Sequence, residues 1–272
     1  MTRFALFIIL SASALCAGCS RRPVLVIAVC DPLARETASE CVKPAAVREY
    51  DAFAERLSER AGVRVVLRYL PFDAQVSDAM KRDLCGAVIA KTWTVIGTYN
   101  HWVRLADMAD AKGSTTLAGV FIVRADSSFR KIADLDGKRV LFGPKGAFEK
   151  SFLAEQALAD ANAAPSRVEV IDGCLPLAAA LLEGRADAGV VSSYVADYGG
   201  LDLAGDAKRF REIGRTEAVP FMTFAVSPRL DAAIRERVAA ALLEMTGQNV
   251  PQGLYSAGFT PPTPWIEKEL KP

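Results

Sequence analysis

Histidine is almost missing from this sequence: one residue, His101, stands among 272. That removes the common zinc sites built from several histidines, and it leaves no Ser/His/Asp set that spacing could assemble. Net charge is nearly missing as well, with 33 basic and 32 acidic side chains. Such a balance argues against a nucleic-acid or anionic-membrane partner. Beyond residue 19 there is no CxxC pair, no glycine-rich phosphate loop, and no apolar run near the ~18 residues that a membrane-spanning helix requires. What is plentiful is ordinary globular material, 51% hydrophobic and 24% charged, ample for a buried core.

The first residues stand apart. Arg3 precedes a weakly polar to apolar run from Phe4 to Leu15, followed by small residues. A short positive segment, an apolar region of about a dozen residues and a small-residue end describe an export signal. Cys16-Ala17-Gly18-Cys19 resembles the bacterial lipobox, in which cleavage precedes a cysteine that receives lipid. We therefore expect residues 1–18 to be a signal peptide and Cys19 a lipid anchor. The alternative is an ordinary signal peptide with an incidental cysteine. Arg3 is the only charged residue ahead of Cys19, so the exported chain would carry 32 charges of each sign.

Beyond the anchor lie Cys30, Cys41, Cys85 and Cys174. In an oxidising compartment some pairing is expected, and four cysteines allow three connectivities. Cys41 follows the first strand closely enough to reach Cys30, so a Cys30–Cys41 disulfide is one expectation. A thiol-lined cleft is another.

Along the chain, strand-like and helix-like segments alternate. Val24–Val29 is a continuous apolar run of the kind buried in a parallel sheet. Val47–Ala61 has helical spacing and Gly62 ends it. Val63–Leu70 reads as strand, Gln75–Leu84 as helix, Ala87–Ala90 and Thr116–Val123 as strands. The pattern then repeats: Arg139–Phe142 strand, Phe148–Ala161 helix, Val168–Ile171 strand, Leu177–Glu183 helix, Ala188–Val191 strand. Phe221–Val226 is a last strand and Leu230–Met245 a last helix. This predicts βαβ units in two α/β lobes, residues 19–115 with 220–272 and residues 116–219. Two strands would cross between the lobes, and ligands bind beyond the carboxyl ends of strands in such sheets. The charged run Lys208–Arg215 reads as a solvated helix face. His101 and Trp102 read as a connection, and Trp265–Leu270 as a tail packing on the first lobe.

The stretch SFRKIADLDGKRVLFGPKGAFEKSFLAEQAL, followed by LLEGRADAGVVSSYV, resembles the phosphate/phosphite/phosphonate-binding proteins of ABC importers. The resemblance implies a type II periplasmic binding fold, two doubly wound sheets joined by a double-strand hinge. It also implies a monomer that closes on a small ligand, an ABC permease as partner, and neither cofactor nor catalysis. Family members often place hydroxyls where this chain has Lys145-Gly146-Ala147-Phe148-Glu149, and a histidine where it has Cys174. Lys91-Thr92-Trp93 stands near the place of a family tyrosine.

Those positions, with Cys30, Asp31 and Ser192-Ser193-Tyr194, form the candidate ligand site. Lysines and a helix N-terminus suit an oxyanion. Cys30 with Cys174 would instead suit a thiophilic species such as arsenite. Trp93 has a core role as its alternative, Ser192 and Ser193 a helix-capping role, and Asp31 a structural one. A sensor partnered with a membrane kinase, and an enzyme on the same fold resembling menaquinone-pathway proteins, remain open at this stage. No metal is expected.

Overall fold

The computed structural model describes residues 22–38, 42–43, 47–98, 101–197 and 207–265. The export segment with Cys19, as well as Cys41 and residues 266–270, lies outside them.

The first half runs β1 (Val24–Val29), α1 (Asp51–Ala61), β2 (Arg64–Tyr69), α2 (Asp73–Lys81), β3 (Ala87–Lys91), α3 (Thr92–Thr98) and β4 (Val103–Ala109). After β5 (Thr116–Leu117), the second unit contains β6 (Gly119–Arg124), β7 (Arg139–Phe142), α4 (Phe152–Asp160), β8 (Arg167–Val170), α5 (Cys174–Leu182), β9 (Ala188–Ser192), α6 (Ser193–Asp197) and β10 (Phe210–Arg215). The chain returns through β11 (Val219–Pro220) to β12 (Met222–Val226), α7 (Ala232–Glu244) and β13 (Gly258–Thr260).

Two mixed sheets result, ordered β13-β4-β12-β3-β1-β2 and β10-β6-β9-β7-β8. Each has a parallel trio, β1 between β2 and β3 in one and β7 between β8 and β9 in the other. Against each trio lies an antiparallel strand, β12 beside β3 and β6 beside β9. Those two strands are the ones that enter each sheet just after a crossing. The crossings pair with each other, Leu117 opposite Val219 and Thr116 opposite Pro220, as a two-stranded ribbon. The expected Thr116–Val123 strand is therefore broken at Ala118: two residues belong to the ribbon and the rest to the second sheet.

The core of the first lobe is aromatic at its centre. Phe53 on α1 packs on Phe224 of β12 and Phe259 of β13, with ring centroids 6.4 and 5.6 Å away. α7 lies against α1, burying Val238, Ala241 and Leu242 with Leu57 and Ala61. Arg237 Nε donates to the Ala61 carbonyl at 2.8 Å, which ties the last helix to the first lobe.

Several sequence expectations are corrected. α1 begins at Asp51 with Tyr50 as its N-cap, because Arg48 is held in a bridge to Ala34. His101 and Trp102 form a connection as expected, but strand β4, which follows them at once, was not foreseen. Lys208–Arg215 is mostly strand β10, antiparallel to β6. Phe210 and Ile213 are both buried, on opposite faces of the second sheet, and the pairing with β6 has a bulge between Glu212 and Gly214. The sheets are mixed where βαβ repetition alone suggested parallel ones. Gly137 does form the tight bend into β7, at φ +66°.

The β1–α1 connection is anchored by a buried ion pair. Asp31 and Arg48 are both at most 1% exposed. Asp31 Oδ2 accepts from Arg48 Nη1 at 3.0 Å and from Tyr50 Oη at 2.6 Å. Its Oδ1 accepts from the Leu33 N–H at 2.9 Å. Removing one partner of such a pair leaves an uncompensated buried charge. Arg48→Met is expected to lower stability by about 3–5 kcal/mol, read as a lower urea midpoint at an unchanged slope.

Candidate ligand-binding cleft

The carboxyl ends of β1, β2 and β3 face those of β7, β8 and β9 across a cavity of about 330 Å³. The first lobe contributes Cys30, Pro32, Thr37 and Val42 from the end of β1 and its connection, and Pro71, Phe72 and Asp73 before and at the start of α2. Lys91 comes from the end of β3. The second lobe contributes Gly143, Pro144, Gly146, Ala147 and Lys150 after β7, then Ile171, Asp172, Gly173 and Cys174 leading into α5. Val190, Val191, Ser192, Tyr194 and Val195 complete that wall. Gly143 is required for space: a Cβ there would sit 2.8 Å from the stem of Lys150, which folds over it.

The first-lobe wall carries its own counter-ion. Lys91 Nζ lies 3.0 Å from Asp73 Oδ2 and 5.7 Å from the centre of the Trp93 ring. Burial works against the charge on Lys91, but the carboxylate of Asp73, helped by the more distant Glu149, outweighs it and holds the ammonium above its ordinary range. Cys30 Sγ donates to Asp73 Oδ1 at 3.7 Å. Burial, and next the negative charge of Asp73, push the Cys30 thiol up to about 12.

On the opposite wall α5 starts at Gly173, a residue at φ +96° that supplies no side-chain cap. The first N–H groups of this helix therefore lack a capping side-chain oxygen, and Gly173 and Cys174 at that end line the cavity. Glu149 is 1% exposed. Its Oε1 accepts from Ser192 Oγ at 2.5 Å, while Oε2 has no hydrogen-bond partner among the described residues.

Of the residues singled out in the sequence, Cys30, Lys91, Gly146, Ala147, Cys174, Ser192 and Tyr194 share this cavity. The others lie elsewhere. Asp31 is wholly buried in the Arg48–Tyr50 knot. Thr92 is buried and donates through Oγ1 to the Phe221 carbonyl at 3.3 Å. Trp93 Nε1 donates to the Gly146 carbonyl at 3.2 Å, a contact between the lobes, and its ring lies 6.1 Å from Phe148. Phe148 stacks on Phe152 and meets Trp265 edge-on. Trp265 thus reaches the second lobe as well as the first. Lys145 is exposed outside the cavity, and Ser193 opens α6, facing a separate cavity with Thr116 and Arg215.

Two cysteine expectations are overturned. Cys30 is a free thiol, so the Cys30–Cys41 disulfide does not form. Cys174 is disulfide-bonded, so the cleft does not offer the pair of thiols that a thiophilic ligand would need. Thr37, Pro71, Phe72, Asp73, Lys150 and Asp172 were missing from the sequence-derived site. Only Lys150 had a signal, its proximity to the glycine-rich turn after β7.

Among the described residues no helix is long and apolar enough to cross a membrane, and no cluster of His, Cys, Asp and Glu is arranged to hold a metal. Two sheet-based lobes, a paired-strand hinge and a cleft at the carboxyl ends of both parallel trios define a two-lobed solute-binding protein. A family model for the ABC transporter phosphonate periplasmic substrate-binding protein matches residues 42–264, and the chain belongs to that family. No curated protein matches the sequence.

Solved structures share the fold. XAC2383 from Xanthomonas citri bound to chloride is 19% identical, over 89% of this chain and 92% of that one, with a TM-score of 0.67. PhnD1 from Prochlorococcus marinus in complex with methylphosphonate is 11% identical over 88% and 92%, TM-score 0.66. A binding component of a phosphonate ABC transporter from Pseudomonas aeruginosa is 14% identical over 89% and 82%, TM-score 0.65.

The raised Cys30 thiol gives a direct check. At about pH 8 its thiolate fraction is on the order of 10⁻⁴. Iodoacetamide should leave Cys30 unmodified in the folded protein and label it on unfolding; rapid labelling of the folded protein would contradict the assignment.

Proposed function

We propose that this protein is the extracytoplasmic receptor of an ABC importer, anchored through Cys19, that captures a small oxyanion by closing its two lobes. Phosphonate, phosphate and phosphite are the candidate cargoes. The observation that carries this reading is the cation set facing one small cavity from both lobes. Lys91 enters from the first lobe, Lys150 from the second, and the uncapped N-terminus of α5 adds backbone donors. Family membership and the methylphosphonate complex of a fold neighbour point the same way.

The acidic groups shape the selectivity of such a site. Asp73 already neutralises Lys91, so an arriving anion must share or displace that carboxylate. An oxyanion that retains a proton can donate to Asp73 while accepting from Lys91, which a fully deprotonated one cannot. The site then favours monoprotonated species.

The free thiol at Cys30 is held in its neutral form, and this weighs against a thiophilic cargo. The family is one of transport binding proteins, which supports capture over catalysis. Whether the closed receptor addresses a permease or a membrane kinase is decided by its neighbours in the membrane, and the importer reading follows the family.

Calorimetry of the exported protein against methylphosphonate, phosphate, phosphite, sulfate and arsenite should find a tight oxyanion among the first three. Lys91→Ala or Lys150→Ala should each weaken it about tenfold or more, the worth of a charge-assisted hydrogen bond. Because Lys91 stays protonated well past neutrality, its share of the affinity should not fall between about pH 6 and 9. Binding of none of the panel, or turnover of any member, would overturn the reading.

A further inference from the structure

The segment that follows β13 crosses the lobe boundary. Pro261, Pro262 and Pro264 surround Thr263, and prolines at that density restrict the backbone to extended conformations. Both backbone groups of Thr263 are clamped to the first lobe. Its N–H donates to Asp107 Oδ2 at 2.8 Å, and its carbonyl accepts from Arg104 Nη1 at 2.9 Å. Asp107 is fully buried, and Arg104 Nη2 donates to both of its carboxylate oxygens, at 2.6 and 2.8 Å. Arg104 Nε also donates to Thr223 Oγ1 of β12 at 3.2 Å. The strap is thus fixed to β4 and β12 just before it delivers Trp265.

Trp265 meets a residue of the other lobe. Its ring stands edge-on to Phe148, with centroids 5.8 Å apart and planes at 75°. Phe148 and Leu153 come from the second lobe but belong to the apolar cluster of the first, together with Trp93. Phe148 sits within the turn after β7, and that turn is closed on itself. Gly143 N–H donates to the Lys150 carbonyl at 3.0 Å, and Lys150 N–H to the Ala147 carbonyl at 2.9 Å. Gly143 and Lys150, its two ends, line the cavity. Trp93 Nε1 adds the bond to the Gly146 carbonyl. First-lobe groups therefore hold the second-lobe turn that carries Lys150.

We propose that Trp265 is a positioning residue of the cleft: the proline strap carries it from the first lobe onto Phe148, and this contact holds the turn that presents Lys150 to the cavity. An edge-on aromatic pair is stabilising beyond the area it buries. Opening the lobes separates Phe148 from both Trp93 and Trp265, so the strap weights the molecule toward the closed arrangement. Less ordering is then left for a ligand to impose, which favours capture. The consequence for affinity rests on the oxyanion reading, because it acts through Lys150. The hold of the strap on the turn does not.

The test needs no ligand. Exchange of hydrogen-bonded amides follows local opening, so hydrogen–deuterium exchange of the full-length protein, read by mass spectrometry, reports on the turn directly. In Trp265→Ala the peptide covering residues 143–151 should exchange about three- to tenfold faster, the worth of one aromatic pair. Strands β6 and β10 of the same lobe should keep their wild-type rates. Trp265→Phe keeps an aromatic ring against Phe148 and should restore most of the protection. Thr263→Pro removes the N–H that Asp107 accepts while leaving the backbone extended, and should quicken the same peptide. Unchanged exchange of residues 143–151 in Trp265→Ala overturns the proposal. So does an equal loss of protection in the alanine and phenylalanine variants, or a rise spread evenly over the second lobe. Where Trp265→Ala folds poorly, Thr263→Pro decides by the same criterion. Failure of the oxyanion reading would appear only in the calorimetry.

Discussion

The cleft depends on one buried carboxylate. Asp31 sits at the end of β1 with no exposed surface, and a lone charge there would cost far more than a typical hydrogen bond returns. Arg48 and Tyr50 meet it from the start of the α1 segment, across a connection of some length. Because those donors come from the far end of the connection, satisfying Asp31 also closes the connection on itself. Pro32, Thr37 and Val42 are held above the cavity for that reason. The same closure presents Leu33 and Val42 to the second lobe. A single electrostatic requirement in the first lobe thereby sets the shape of the mouth.

The interior of the cleft follows a second rule, that its charges are largely balanced before any ligand arrives. Lys91 has Asp73, and Glu149 has a hydrogen bond to Ser192 with one oxygen left bare. An unbalanced cationic cleft would attract every available anion. A balanced one binds only a ligand whose own donors and acceptors replace what it displaces. The lobes meet around this cleft through directional contacts: Trp93 to the Gly146 carbonyl, and the ring contacts of Trp93, Phe148 and Trp265. Trp265 is carried by a tail that Asp107 holds through the Thr263 N–H at 2.8 Å. Ligand chemistry and lobe contact are built side by side, as a receptor that closes requires.

The sequence revealed much of this, unevenly. Both βαβ blocks, the return of the last helix to the first lobe and the position of the crossings could be read from periodicity, because burial on a sheet imposes a pattern on each segment. Lys91, Cys174, Ser192 and Tyr194 were identifiable because each follows or opens an element at the carboxyl end of a parallel strand. Asp73 and Thr37 were not. Asp73 looks like an ordinary first-turn acidic residue, and nothing local announces that Lys91 stands 3.0 Å away. The charged run Lys208–Arg215 misled for the opposite reason: its charges read as a solvated helix face, whereas it pairs as a strand beside β6 and buries Phe210 and Ile213.

What the sequence determined by itself is the architecture and the restriction on chemistry set by one histidine and a neutral charge balance. Such features depend on composition and on short-range period, which tertiary contacts reinforce. The free thiol of Cys30, the bonded state of Cys174, the ion pair inside the cleft and the fate of Asp31 were decided by the folded chain. Each of them pairs residues far apart in sequence, and only the packing of two sheets and the connections between them brings such partners within bonding distance.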